Sequence, residues 1–313
     1  MIPVRDAAQH YDCVVIGAGP AGLSAALNLV RARRRVLVLD SNRPRNSATL
    51  IAHGFLTRDG ITPHELRQLG LEELLVYPSA HHQLAVVHSV RREAGGFRIE
   101  ATGFNGYPDR SVVATAVLIA TGLSETLPDL PAISNFYGIG VFSCIECDGY
   151  EQSDRRLALI GETSDLASRA LQIAQWAEDL TVFTNGATTV APSQEALLAE
   201  RGVRVERREI ADLVGEGLTV TGVLLADGDV VPIEGGFVRP RWHAMLDFAA
   251  ELDMAVDGWG LLVTDADGRT NVTGLYAAGD CTAPGPQQLI VAAGMGARVA
   301  ATINRDMIGI PRR

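Results

Sequence analysis

Tyr11-Asp12-Cys13-Val14-Val15-Ile16-Gly17-Ala18-Gly19-Pro20-Ala21-Gly22 decides the fold. A short run rich in Val and Ile ends in three glycines spaced Gly-x-Gly-x-x-Gly. Leu23 to Arg33 follows with helical character, and Val36 to Leu39 forms a second apolar run closed by Asp40. Strand, glycine turn, helix, strand and acid, in that order, are the dinucleotide-binding fingerprint in its full context. Gly17 permits the tight turn, Gly19 lets the backbone approach a pyrophosphate, and Gly22 allows the helix to lie close to the strand. With Pro20 and Ala21, these residues open a helix whose N-terminal N–H groups suit phosphate. Asp40, about twenty residues on, is placed to accept hydrogen bonds from ribose hydroxyls.

Further along, Thr62, Pro63 and Glu65 mark a helix start with a capping box. Strand-like segments are expected near 84–90, 97–101 and 111–114, and Val117 to Ala120 runs into Thr121-Gly122. After the Pro-rich stretch Leu127 to Pro131 a second strand–turn–helix–strand pattern begins. It comprises Leu157 to Ile160, a turn from Gly161 to Asp165, a helix from Leu166 to Trp176, and Leu180 to Thr184. A helix capped by Ser193 ends at Gly202, and further strands are expected at 203–207, 218–225 and 230–233. The chain closes with Tyr276-Ala277-Ala278-Gly279-Asp280 and a helix from about Gln288 to Met307. The expected architecture is α/β: two nested Rossmann-like FAD/NAD(P)-binding domains, the second inserted in the first. Residues 1–123 and 237–313 form the FAD-binding domain, and 124–236 form the central domain.

Composition narrows the chemistry. The 313 residues carry a net charge of −10, with 47% apolar and 20% charged residues. Such a balance fits a globular protein and argues against a nucleic acid partner, whose phosphates an acidic surface repels. No apolar run approaches the roughly 18 residues of a membrane span, and Met1 to Asp12 has no apolar core of a secretory signal. The expected location is the cytoplasm. Every strongly basic residue is Arg and none is Lys, which excludes a Schiff-base or P-loop lysine.

Of four cysteines, Cys144 and Cys147 are spaced Cys-x-x-Cys, whereas Cys13 and Cys281 are isolated. That spacing serves redox work or half a zinc site, and the other half is missing, so no metal is expected. A dithiol with two intervening residues closes a disulfide within one helical turn and lowers one thiol's pKa. Asp148, beside the second cysteine, is placed to move a proton to a leaving thiolate. Glu146, between the cysteines, opposes thiolate formation by like charge.

In order and spacing, Gly17–Gly22, Ala120-Thr121-Gly122, Cys144–Gly149, Gly279-Asp280 and Gln288 resemble the thioredoxin reductase-like members of the FAD-dependent pyridine nucleotide-disulfide oxidoreductases. The resemblance covers almost the whole chain. It implies FAD held by Gly17, Gly19, Pro20, Ala21, Gly22, Asp40, Asn46, Ala120, Thr121, Gly122, Gly279, Asp280, Gln288 and Leu289. It implies that Cys147 lies against the flavin, that Cys144 exchanges with substrate, that Asp148 is the acid/base, and that the protein is a homodimer. The substrate would be a dithiol or disulfide, either a small molecule or a thioredoxin-like protein.

The second glycine turn departs from a standard reductase. In Gly161-Glu162-Thr163-Ser164-Asp165-Leu166 only the first glycine remains, and Glu162 and Asp165 place negative charge beside the intended phosphates. Thr184 to Thr189 contains no arginine for a 2′-phosphate. Each lost charge-assisted bond costs about 1.5–3 kcal/mol. This pattern resembles a side branch that includes gliotoxin- and holomycin-type dithiol oxidases and diflavin-linked disulfide oxidoreductases. Asp40-Ser41, Arg45-Asn46 and His53-Gly54 resemble that branch as well, and imply that Asn46 and His53 lie near the isoalloxazine, His53 taking a proton. Three readings follow: a flavin thiol–disulfide oxidoreductase that does not use NADPH, an NADPH-dependent thioredoxin reductase with a degenerate nucleotide site, and a flavin-bound redox sensor. Arg239-Pro240-Arg241-Trp242-His243 is unusual for a reductase; it offers a ring to stack on and cations for an anionic partner.

Overall fold

In the computed structural model, which describes residues 10–282 and 285–310, the chain divides into two compact units. One comprises Met1–Ser47, Gly54–Ser124 and His243–Arg313; the other comprises Ala48–His53 and Glu125–Trp242. The short segment 48–53 thus departs from the expected division and groups with the central unit. There the carbonyl of Ala48 fits against Gly138, at a spot where an added Cβ would meet it at 2.2 Å. Most of the N-terminal stretch read for a secretory signal, residues 1–9, lies outside the described residues.

The first unit is built on a parallel sheet. Its strands run in the order Ala80–Glu93, Val36–Asp40, His10–Ile16, Arg110–Ile119 and Leu275–Ala277. Gly96–Gly103 pairs antiparallel with the far halves of the two long strands, Ala80–Glu93 and Arg110–Ile119. Where two segments, 111–114 and 117–120, are expected, one strand runs through, because no Gly or Pro interrupts Arg110–Ile119. Strands buried on both faces read as continuous apolar runs, and Val36–Asp40 is buried at every position.

Helix Pro20–Arg31 and helix Leu289–Met307 cover one face, where Ala25, Leu29, Val299 and Ile303 pack with Val15, Val38 and Leu118. The opposite face gathers Phe97, Ile99, Ile119 and Leu252 into a second cluster. Thr62 caps helix Pro63–Leu75 as expected, its hydroxyl accepting from Glu65 N at 3.1 Å.

The central unit carries a second parallel sheet in the order Arg204–Glu206, Asp179–Phe183, Arg156–Ile160, Gly235–Val238 and Val141–Phe142. A three-stranded antiparallel sheet, Ile210–Glu216, Thr219–Leu225 and Val230–Pro232, packs Leu213, Val223 and Ile233 against Phe136 and Ile160. Its first strand is absent from the sequence reading. Two helix limits also differ. Helix Leu166–Ile173 is shorter than expected. The later one starts at Pro192, since proline suits the first helical position, which leaves Ala191 rather than Ser193 at the cap.

Helices Pro20–Arg31 and Leu289–Met307 meet at Gly296, where an added Cβ would come within 2.0 Å of the Ala21 carbonyl oxygen. Gly294, on the same helix, is open around its Cα. Gly296→Ala is expected to lower stability by about 1–3 kcal/mol through overpacking. Gly294→Ala is expected to raise it by about 0.5–1 kcal/mol through helix propensity. Thermal denaturation of the two variants checks both signs.

Candidate functional site

The glycine turn of the first unit is compressed as its sequence demands. Gly17 has φ +104°, and an added Cβ would meet the Ala120 carbonyl oxygen at 2.4 Å. At Gly22 it would meet the Gly17 oxygen at 1.9 Å and Val15 Cγ1 at 3.2 Å, so the helix lies directly against the turn and the strand before it. Around Gly19, by contrast, there is open space. No side chain caps the helix that begins at Pro20, so its first N–H groups are left for an external acceptor. Asp40 is 7% exposed; its Oδ1 accepts from Ala18 N at 3.4 Å, while Oδ2 is buried without a partner. Thr121 Oγ1 is likewise buried and unpaired. Buried polar atoms are normally satisfied, so two unsatisfied oxygens flanking an open glycine turn fit a polyhydroxylated, phosphate-bearing group such as FAD.

Gly279, with φ +83°, turns the chain from strand Leu275–Ala277 toward Asp280, which borders a cavity of about 330 Å³ with Gly279, Gln287 and Val291. Asp280 is held by Arg45, whose Nη2 lies 2.7 Å from Oδ2. Arg45 is a candidate site residue that sequence reasoning missed. It is visible there only as the neighbour of Asn46, and a pairing across 235 positions leaves no local pattern. Asn46 sits beside it in the short 3-10 helix Arg45–Ala48. Gln288 is the N-cap of the last helix and Leu289 its first residue.

In the central unit, Cys144 and Cys147 form a disulfide. Cys144 caps the four-residue helix Ile145–Asp148 from extended backbone. Ile145 is buried and anchors this turn, and Gly149 packs so closely to Trp176 that an added Cβ would meet the indole at 3.0 Å. Glu146 is exposed, with Oε2 4.0 Å from Cys144 Sγ. Asp148 is 7% exposed. Burial, and next the charge of Glu151, push its carboxyl up to about 7. His53 Nε2 lies 3.5 Å from Glu151 Oε1. His53 and Asp148 therefore both adjoin Glu151, whose part the sequence reading did not assign. Cys13 and Cys281 are fully buried, and burial raises both thiols to about 12; they behave as small apolar side chains.

The second glycine turn differs from its expectation in one respect. Thr184 to Thr189 supplies no cation, but Arg239 and Arg241 reach the same cleft from the end of the adjacent strand Gly235–Val238. Arg239 binds Asp165 Oδ2, through Nε at 2.9 Å and Nη2 at 2.8 Å. Its guanidinium lies 3.9 Å from the centre of the Trp242 ring. Trp242 Nε1 donates to Glu125 Oε1 at 3.0 Å, so this indole stacks on a cation of its own chain.

Two parallel sheets, an open glycine turn with unsatisfied oxygens, and a Cys-x-x-Cys disulfide define a flavin-linked disulfide oxidoreductase. The chain belongs to the pyridine nucleotide-disulphide oxidoreductase family, whose model matches residues 11–296, and it is a thioredoxin reductase-like enzyme of that FAD-binding family. It is 28% identical to thioredoxin reductase sirT of Leptosphaeria maculans over 96% of this chain and 95% of that one. Among solved structures, putative thioredoxin reductase TrxB of Bacillus anthracis is 36% identical, with a TM-score of 0.87 and coverage of 95% of this chain and 98% of the other. HlmI is 33% identical, with a TM-score of 0.88 and coverage of 96% and 93%. Among the described residues, no helix is long and apolar enough to cross a membrane.

A carboxyl raised to about 7 is neutral below that pH and donates a proton there; above it, the carboxylate does not. Because the folded-state value lies above the ordinary 3.8, the folded chain binds the proton more tightly, and stability falls as pH rises from near 3.8 to about 7. Asp148→Asn is expected to flatten this decline, so that the variant gains melting temperature relative to the parent at pH 8 but not at pH 4. Melting curves across that range test it.

Proposed function

We propose that this chain is an FAD-dependent thiol–disulfide oxidoreductase that takes electrons from a dithiol through Cys144 and Cys147 and does not use NADPH as donor. The observation that carries this reading is the Cys144–Cys147 disulfide on a short anchored helix with the buried, high-pKa Asp148 directly after it. The degraded glycine turn Gly161–Leu166 supports the donor assignment.

In this reading a substrate thiolate attacks Cys144 Sγ. The intramolecular S–S bond breaks, a mixed disulfide forms, and the electron pair leaves on Cys147. Asp148, in its neutral form, supplies a proton to that sulfur. The second substrate thiol then attacks the mixed disulfide at the substrate sulfur. It releases oxidised substrate and leaves Cys144 and Cys147 reduced by two electrons. His53 and Glu151 provide a polar route by which Asp148, left as the carboxylate, regains a proton from solvent. Glu146 disfavours thiolate at Cys144 by like charge and so selects against acidic substrates.

Gly17, Gly19, Pro20, Ala21 and Gly22 would hold the pyrophosphate of FAD, and Asp40 the adenosine ribose. Asn46, Ala120, Thr121, Gly122, Gly279, Asp280, Gln288 and Leu289 would line the rest of the group, with Arg45 fixing Asp280. When bound, FAD supplies the two-electron acceptor for the reduced cysteines, and dioxygen is the terminal acceptor in this reading. The substrate is a small dithiol or a thioredoxin-like protein, and the enzyme acts as a cytoplasmic homodimer.

The competing reading, an NADPH-dependent reductase, draws on relatives that bear the name thioredoxin reductase. Anaerobic mixing separates the two. Excess NADPH is expected to leave the flavin absorbance unchanged, whereas a small dithiol bleaches it and air restores it. Rapid bleaching by NADPH would overturn the proposal in favour of the reductase. Inertness to both donors would overturn it in favour of a redox sensor. In Cys147→Ser, dithiol bleaching is expected to fall by more than about a hundredfold, since no intramolecular disulfide remains to accept the electrons.

A further inference from the structure

In parallel sheets with helices on both faces, ligands bind beyond the carboxyl ends of the strands, where the strand order reverses. In the central unit that point lies between Arg156–Ile160 and its neighbour Gly235–Val238. The crevice there, of about 210 Å³, is lined by Gly161, Glu162, Thr163, Asn185, Arg239 and Arg241 among others. It is the place from which a dinucleotide phosphate would address the helix Leu166–Ile173.

The chain has put its own charges there. Asp165 is the residue immediately before that helix. Its Oδ1 accepts from Thr163 Oγ1 at 2.6 Å, and its Oδ2 accepts from Arg239 at 2.9 and 2.8 Å and from Arg169 Nε at 3.4 Å. This carboxylate makes no hydrogen bond to the helix N–H groups; it engages Arg239, a cation of the crevice that an incoming phosphate would seek. Arg239 is not available to such a phosphate. Its side chain is 13% exposed, bound to Asp165 on one side and laid over Trp242 on the other. Its remaining nitrogen, Nη1, has no hydrogen-bond partner and is buried. Arg239 also crowds the remaining glycine, since an added Cβ at Gly161 would meet Arg239 Cβ at 2.8 Å. Further out, Glu162 is engaged by Asn185 Nδ2 at 2.9 Å and by Arg241 at 3.3 Å. The two arginines that the crevice gains are each bound to a carboxylate.

We infer that Asp165 is a specificity-determining residue that excludes pyridine dinucleotides by holding Arg239, the cation a phosphate would need, in an internal ion pair at the start of the helix. Trp242 and Glu125 fix the cation from behind. The inference rests on the reading that NADPH is not the donor, and it supplies the structural cause.

The test is calorimetric titration of the FAD-loaded protein with NADPH. The parent is expected to show no saturation in the millimolar range. Asp165→Asn, which keeps the side-chain shape but releases Arg239 and removes the charge, is expected to tighten binding by about tenfold or more, the scale of one charge-assisted bond. Glu162→Gln, at an exposed position, is expected to act in the same direction by a smaller factor. It decides the matter if Asp165→Asn does not fold. Micromolar binding of NADPH by the parent would overturn the inference, and so would unchanged affinity in the variants that fold. Dithiol-dependent bleaching of the flavin, recorded on the same samples, reads the thiol–flavin reaction separately. If bleaching is lost while the affinity shift is seen, the functional reading fails and the exclusion by Asp165 stands.

Discussion

Backbone touches backbone at Gly22 and Gly17, and again at Gly17 and Ala120, with no room for a single carbon between them. Hydrogen alone fits in those gaps. The helix that starts at Pro20 can therefore aim its unpaired N–H groups across an open Gly19, and the ends of strands His10–Ile16 and Arg110–Ile119 lie side by side. The unsatisfied oxygens of Asp40 and Thr121 depend on the same compression, because each sits at the end of a strand in this sheet or directly beyond it. A larger residue at either glycine would displace the helix and, with it, the binding surface.

The two units treat the same motif in opposite ways. In the first, the acid after the second strand, Asp40, keeps one oxygen without a protein partner. In the second, the acid at the helix start, Asp165, is fully engaged by Thr163 and Arg239. Buried polar groups tend to be paired within the protein unless a ligand or water completes them. The acid of one turn is thus left with an open oxygen and the acid of the other is satisfied by side chains of its own chain, although Arg239 Nη1 beside it stays unpaired.

Much of this is legible in the sequence because it is local. The Gly17–Gly22 turn, the Thr62 cap, the Cys144–Cys147 spacing and the Gly279-Asp280 turn each occupy a few adjacent positions, and their chemistry follows from residue type. What the sequence conceals is long-range pairing. Arg45 with Asp280, His53 with Glu151, and Arg239 with Asp165 are joined only by the fold, across gaps that have no periodicity. The lack of cations in 184–189 is plain in the sequence, yet the arginines that reach the crevice come from the end of a neighbouring strand. Helix limits shift where proline geometry overrides a nearby serine, as at Pro192. The strand Ile210–Glu216 is hidden by its mixed polarity, since only some of its positions face the core.

Cys13 and Cys281 sit at full burial inside the first unit, with thiols held far from ionisation. Only a thiolate is an effective nucleophile, so these two sulfurs are chemically silent while the chain stays folded. The thiol–disulfide chemistry of the folded chain is confined to one pair, and disulfide exchange finds no further reactive cysteine through which to scramble its connectivity. A disulfide oxidoreductase, whose work is the exchange of sulfur–sulfur bonds, is in this way insulated against cross-linking its own interior.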